Sequence, residues 1–229
     1  VNRVHPVLAG LLVLAMACAA CGRPSSPAPP ADQATAGPQE KSKPAETVLI
    51  GGREFTVPPQ WQGQKIREPA ATRSELAPLP RSLAKDGGLI YLRRDARDAL
   101  DAMARQAAAD NIHLLVDSGY RSSRYQKTII SRQLARGKSF ADISRFVAPP
   151  GYSEHLTGTA VDFSPSNWRF ASTPQYRWLA GHASAFGFTE TYPKNGRRHP
   201  WEPWHWRFRP PAGSEGNHPP AHLPLDAGQ

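Results

Sequence analysis

An α+β fold, a small central antiparallel sheet flanked by helices, is predicted by three features of this 229-residue sequence. One stretch carries a clean helical period, several apolar runs are only four or five residues long, and no regular βαβ alternation links them. Residues 93–110 place Ala96, Leu100, Met103 and Ala107 at i, i+4, i+7 and i+11, the spacing of an amphipathic helix. Ile112–Val116 then suits a buried strand. Tyr125–Arg136 and Phe140–Phe146 read as two short helices separated by Gly137, and Thr159–Phe163 as a short strand after Gly158. Gln175–Phe186 is spaced for a helix that stops at Gly187, and Phe188–Tyr192 and His205–Phe208 complete the strands. Ahead of all these, Thr47–Val57 has apolar runs around Gly51-Gly52, as in a hairpin. Residues 58–87 hold five prolines and no period, and read as an extended arm packed over the domain.

The ends differ from this middle. Of 24 prolines, six lie in residues 22–44 and seven in residues 200–229, so both ends look irregular. Charge is distributed otherwise: the formal net is +9, and residues 88–209 hold 18 Lys+Arg against 10 Asp+Glu. The basic character belongs to the folded part, which suits an anionic partner such as nucleic acid, a lipid surface or an acidic wall polymer. Two cysteines exclude a disulfide-rich scaffold and a four-cysteine zinc module.

The N-terminus narrows the choice. Arg3 precedes 14 apolar or small residues, VLAGLLVLAMACAA, and then Cys21-Gly22. That apolar run is too short to span a bilayer comfortably and suits an export signal. Ala19-Ala20-Cys21-Gly22 resembles a bacterial lipoprotein signal, with Cys18 where leucine is usual, and makes Cys21 the expected lipidation site. The competing reading is an ordinary secretory signal cleaved near Ala20. Residues 22–46, rich in Pro, Ala, Ser and Gln, cannot bury enough surface to offset ordering and read as a disordered stalk; residues 210–229 read as a flexible tail. Export argues against chromosomal DNA as the partner, so no nucleic acid is expected.

Three blocks carry chemistry. Ser153–Asp162 (SEHLTGTAVD) and Glu202–Arg207 (EPWHWR) together offer His155, His205, Asp162 and Glu202. Two imidazoles and one carboxylate are a common protein ligand set for catalytic zinc, and another carboxylate nearby can take a proton from water. A turn at Gly158 would let His155 and Asp162 converge. Glu202 precedes Pro203, which biases it towards extended backbone, at the rim of a strand that carries His205. The plainer reading leaves these histidines as satisfied core or surface groups and Glu154 as a solvated charge. The remaining histidines gain nothing from spacing, although His199 lies near Glu202. The third block is Ser118-Gly119-Tyr120-Arg121-Ser122, where an arginine after a strand could receive a carboxylate or an oxyanion.

In this order, SGYRSSRYQ (118–126), PPGYSEHLTGTAVDFS (149–164), WLAGHASAFGF (178–188) and EPWHWR (202–207) resemble the D-Ala-D-Ala metallopeptidases, VanY-type carboxypeptidases and VanX-type dipeptidases. The resemblance covers residues 88–209. It implies one zinc ion held by His155, Asp162 and His205, with Glu202 as general base and Arg121 steadying the scissile carbonyl oxygen. It implies Ser153 near the substrate's terminal carboxylate, and Gln126 and Tyr120 among the substrate-binding residues. The fold it implies is shared with lysostaphin-like peptidases and the hedgehog signalling domain, where a zinc site can lack peptidase activity. Leu156 and Phe163 depart from the family pattern without touching a ligand.

The expected organisation is a signal over 1–21, a stalk over 22–46, an arm over 47–87, a zinc D,D-peptidase domain over 88–209 and a tail over 210–229. The expected protein is a monomer, exported and lipid-anchored at the outer face of the cytoplasmic membrane, acting on peptidoglycan stem peptides. A D,D-dipeptidase, a peptidoglycan endopeptidase and a non-catalytic zinc-stabilised peptidoglycan-binding module are the alternatives.

Overall fold

The computed structural model describes residues 44–210. The expected signal with Cys21, nearly all of the stalk and all but the first residue of the tail lie outside them. Among the described residues, no helix is long and apolar enough to cross a membrane.

The chain starts with a hairpin, β1 (Thr47–Ile50) and β2 (Arg53–Thr56), paired antiparallel across Gly51-Gly52. Both glycines have positive φ, at 57° and 77°, which a tight two-residue turn requires. An irregular stretch leads to β3 (Leu76–Pro78), which pairs antiparallel with β4 (Tyr91–Arg93). A three-residue strand ending in proline leaves no period to read, so the arm shows this pairing only in three dimensions.

Helix α1 (Arg94–Ala109) follows, and Ala96, Leu100, Met103 and Ala107 are all fully buried, as their spacing predicts. The next strand is shifted from its expected place: β5 is Val116–Ser118, not Ile112–Val116. The reason is local. Asn111 takes a left-handed turn at φ 60° and the Ile112 amide returns to the Ala107 carbonyl, so residues 112–115 are spent leaving the helix.

Helices α2 (Ser123–Ala135), α3 (Phe140–Ile143) and α4 (Pro174–His182) each start at a side-chain cap. The Ser122, Ser139 and Thr173 hydroxyls accept from the amides of Tyr125, Asp142 and Tyr176, satisfying donors that a first turn leaves orphaned. α4 passes into a 3-10 turn, Ala183–Phe186, that ends at Gly187 with φ 79°.

The central sheet joins β5, β6 (Ala160–Phe163), β8 (His205–Phe208) and β7 (Phe188–Glu190) in that order, every pair antiparallel. Side chains alternate across it, so its two faces do different things. Val161, Phe163, Trp206 and Phe208 join the core formed with Leu92, Leu100, Met103, Leu179 and Phe188. Asp162, His205 and Arg207 point the other way, yet they too are buried, because the 151–158 segment and the arm cover that face.

Candidate metal centre and active site

Register builds the site. In the β6–β8 ladder Asp162 stands opposite His205, so a carboxylate and an imidazole meet on the face away from the core. His155 comes from the 3-10 turn Glu154–Thr157, whose C-cap Gly158 has φ 71°. A side chain there would also lie 3.1 Å from Ala71 Cβ and from the Arg93 amide nitrogen. The left-handed glycine reverses the chain into β6 and brings His155 to Asp162. One ligand atom from each of His155, Asp162 and His205 lies within 4.8 Å of the others, and all three residues are buried.

Hydrogen bonds fix which atoms face inward. His155 Nδ1 is 2.6 Å from the Gly119 carbonyl, which can only accept, so Nδ1 carries the proton and Nε2 presents a lone pair. Burial and the nearby Arg121 charge hold this imidazole neutral, with its pKa lowered to about 4. Its Nε2 is buried with no hydrogen-bond partner although Asp162 Oδ2 is 3.1 Å away, because two lone pairs face each other. His205 Nε2 is 3.0 Å from Glu154 Oε2 and its Nδ1 2.9 Å from Asp162 Oδ1. Two nitrogen donors and a carboxylate, with one buried lone pair unmatched, fit a divalent cation of the zinc type.

The two carboxylates on His205 favour its protonated form. Burial opposes charging His205, but hydrogen bonds to Asp162 and Glu154 prevail and raise its pKa to about 10. Asp162 is held well below its ordinary value: burial opposes this, and the charged His205 donating from Nδ1 outweighs it. Cation binding therefore expels the His205 proton, and affinity rises with pH by about tenfold per unit while one proton is released. Zinc titration calorimetry near pH 7, in buffers of different ionisation enthalpy, should show that proton.

Glu154 is the residue that sequence reading underestimated. Read as a solvated charge, it is buried, with His205 on one oxygen and Arg207 Nη1 at 3.0 Å on the other. Burial raises its pKa, yet His205 and Arg207 outweigh that and hold it at about 2. A carboxylate on the outer nitrogen of a histidine ligand fixes its ring and raises its basicity. Tyr192 was also missed: its ring centroid is 5.0 Å from that of His205, and burial with the charges of Glu154, Glu202 and Asp162 raises its phenol well above its ordinary value. Tyr192 comes from the loop after β7, and no spacing to the ligands announces it.

The other expected residues fall as follows. Glu202 lies in the turn before β8, its carbonyl accepting from the His205 amide at 2.9 Å. Its carboxyl is buried and pushed up to about 8 by burial, with His205 and Arg121 lowering it and Asp162 and Glu154 raising it. Arg121 Nη2 is 3.6 Å from Asp162 Oδ2, and its Nε is buried with no hydrogen-bond partner among the described residues. Ser153 is buried at the head of the His155 turn and makes no capping bond with its side chain. Gln126, in α2, donates to the Ala148 carbonyl at 2.8 Å and leaves its Oε1 without a partner among the described residues. Tyr120 and Arg121 line a cleft of about 250 Å³ with Tyr91, Asp117, Gly119 and Tyr125. His199 stays outside the ligand group; its Nε2 is 3.2 Å from Gln64 Oε1.

The sequence profile of VanY, the D-alanyl-D-alanine carboxypeptidases, matches residues 89–211, more than half of the chain. The chain belongs to the VanY family. Among curated relatives, the Bacillus subtilis (strain 168) protein YodJ is 37% identical over 127 residues, which are 52% of this chain and 46% of YodJ. A D-alanyl-D-alanine carboxypeptidase of Enterococcus faecalis (strain ATCC 700802 / V583) is 29% identical over 194 residues, 78% of this chain and 70% of that one. The chain thus spans about half the length of YodJ. Among solved structures, the LdcB LD-carboxypeptidase is 30% identical at a TM-score of 0.56, covering 72% of this chain and 84% of LdcB. The fold of this VanY-family chain is therefore shared with LdcB, an α+β arrangement around a small central antiparallel sheet.

Gly119 tests how closely this VanY-family site is packed. A Cβ there would lie 2.6 Å from the Tyr91 carbonyl oxygen and 2.7 Å from Ile90 Cγ2. Gly119→Ala is expected to cost about 1–3 kcal/mol of stability, measured by chemical denaturation. It should also move the carbonyl that fixes the His155 tautomer, weakening zinc binding.

Proposed function

We propose that the protein is a zinc-dependent D,D-carboxypeptidase that removes the last residue from peptidoglycan stem peptides ending in D-Ala-D-Ala. One observation carries this reading: the buried His155, Asp162 and His205 group with the buried carboxyl of Glu202 beside it, in a VanY-family chain. His155 Nε2, an Asp162 oxygen and His205 Nδ1 would hold the ion. Such an ion supplies Lewis acidity, polarising a carbonyl and acidifying water.

The chain's own residues do the rest. Glu202 accepts the proton of the attacking water and returns it to the leaving amine, a role its buried carboxyl beside the ligand group can fill. Arg121, with its unpartnered Nε, steadies the carbonyl oxygen as negative charge develops there, a preorganised effect worth about 3–4 kcal/mol per donor. In this reading Ser153 sits near the substrate's terminal carboxylate, and Gln126 and Tyr120 are among the substrate-binding residues. The excess of Lys and Arg over residues 88–209 raises the local concentration of anionic wall polymer. In this reading the peptidase domain is 88–209, acting as a monomer outside the cytoplasmic membrane on a stalk anchored by a lipid at Cys21. A binding module has no use for a buried base and an arginine at the cation, so we favour an enzyme.

A second reading is favoured by the likeness to the LdcB LD-carboxypeptidase: cleavage of a terminal D-alanine that follows an L-centre. Two peptides separate them. Incubated with a pentapeptide ending in D-Ala-D-Ala and with the tetrapeptide one residue shorter, the protein should shorten the first by one alanine and spare the second. Cleavage of the tetrapeptide alone would replace the D,D reading with the L,D one.

A further inference from the structure

We propose that residues 61–71 of the N-terminal arm are a positioning element for His205 and reach it by two separate routes. The proposal rests on reading His205 as a metal ligand and is independent of which peptide bond is cut. The arm lies outside the family match at 89–211, so nothing in that match assigns it a role.

The first route is ionic. Glu68 pairs with Arg207 Nη2, Arg207 Nη1 donates to Glu154 Oε1 at 3.0 Å, and Glu154 Oε2 accepts from His205 Nε2 at 3.0 Å. Arg207, Glu154 and His205 are all buried, and Glu68 is the exposed end. Thr159 steadies the middle, its Oγ1 3.3 Å from Arg207 Nε. With Glu68 present, the guanidinium is shared between two carboxylates. Without it, Arg207 falls to Glu154 alone and draws that carboxylate away from His205. The outer partner of a histidine ligand sets its ring orientation, so the disturbance reaches the metal-facing nitrogen.

The second route is a chain of ring contacts. The Trp61 ring centroid is 4.1 Å from that of His199, the His199 centroid 5.0 Å from that of Tyr192, and the Tyr192 centroid 5.0 Å from that of His205. Trp61 is fixed by its Nε1 donating to the Ser144 carbonyl at 2.7 Å. Between the routes the arm backbone is laced to the turn that carries His155. The Ile66 amide donates to Gly151 at 2.9 Å and the Ala71 amide to Leu156 at 3.0 Å. Both routes end on the same imidazole, and both start from residues 61–68.

The test uses the full chain with Glu68→Gln, Trp61→Ala and Trp61→Phe. Ile50→Ala serves as control, an arm residue buried against Ile130, Phe140 and Ile143 and on neither route. Zinc affinity is measured by competition with a chromophoric chelator, and the His205 ring by nitrogen-edited NMR of the metal-free protein. Glu68→Gln and Trp61→Ala should each weaken zinc about 3- to 10-fold, less than the 10- to 100-fold of a partner touching the ligand, and both should shift the His205 resonances. Trp61→Phe should restore most of the affinity. Ile50→Ala should lower the melting temperature and leave affinity and resonances unchanged. The proposal is overturned if Glu68→Gln and Trp61→Ala change neither readout, or if Ile50→Ala weakens zinc as much as they do. If the wild-type chain takes up no zinc, it is the ligand reading that fails, and the His205 resonances still decide whether the arm reaches that ring.

Discussion

Asp162→Ala should empty the site of metal. Asp162 is the only anion in the ligand group, and its two oxygens separately face His205 Nδ1 at 2.9 Å and His155 Nε2 at 3.1 Å. Removing it leaves two imidazoles and no charge to offset that of the cation. The loss should exceed the 10- to 100-fold seen when only an outer partner is removed, so affinity should fall by more than about 100-fold. The fold should survive, because Val161 and Phe163 still fill the core and the backbone still pairs with β8. Elemental analysis of the purified variant is the check, and full zinc occupancy would remove Asp162 from the ligand set.

Glu202→Ala should separate chemistry from binding. Glu202 is not among the three clustered ligands, so zinc content and affinity should stay near those of the wild type. Hydrolysis should fall by about 10²- to 10⁴-fold, the usual contribution of a positioned general base. The fall should appear in kcat, because the base acts on the proton in flight and not on the bound peptide. Normal cleavage by this variant would show that another group takes the proton. Tyr192 and Glu154, the other acid–base groups packed around His205, would be the first to examine.

Most of the buried cluster of His155, Asp162 and His205 was legible in the sequence because its parts are local. His155 and Asp162 are seven residues apart around a glycine that must turn, and Glu202 and His205 flank Pro203-Trp204. Strand pairing then does the long-range work, setting Asp162 opposite His205. α1 was equally plain, since four buried positions follow one helical stripe. Residues that act across long separations were not legible. Glu154 looks like any surface carboxylate until Arg207, 53 residues on, folds against it. Glu68 is 139 residues from Arg207, and nothing in the arm's composition marks either it or Trp61. β5 was misplaced for a different reason. Apolar residues 112–116 satisfied a strand pattern, but the backbone spent most of them on leaving α1 at Asn111.

The proposed reaction needs three things: a cation at His155, Asp162 and His205, a base at Glu202, and a substrate ending in D-alanine. One measurement engages all three. Protein stripped by a chelator is mixed with a pentapeptide ending in D-Ala-D-Ala, and free D-alanine is assayed before and after one equivalent of zinc is returned. The proposed reaction requires no release from the stripped protein and restored release on adding zinc. Release that persists without metal, or none after zinc binds, would contradict it.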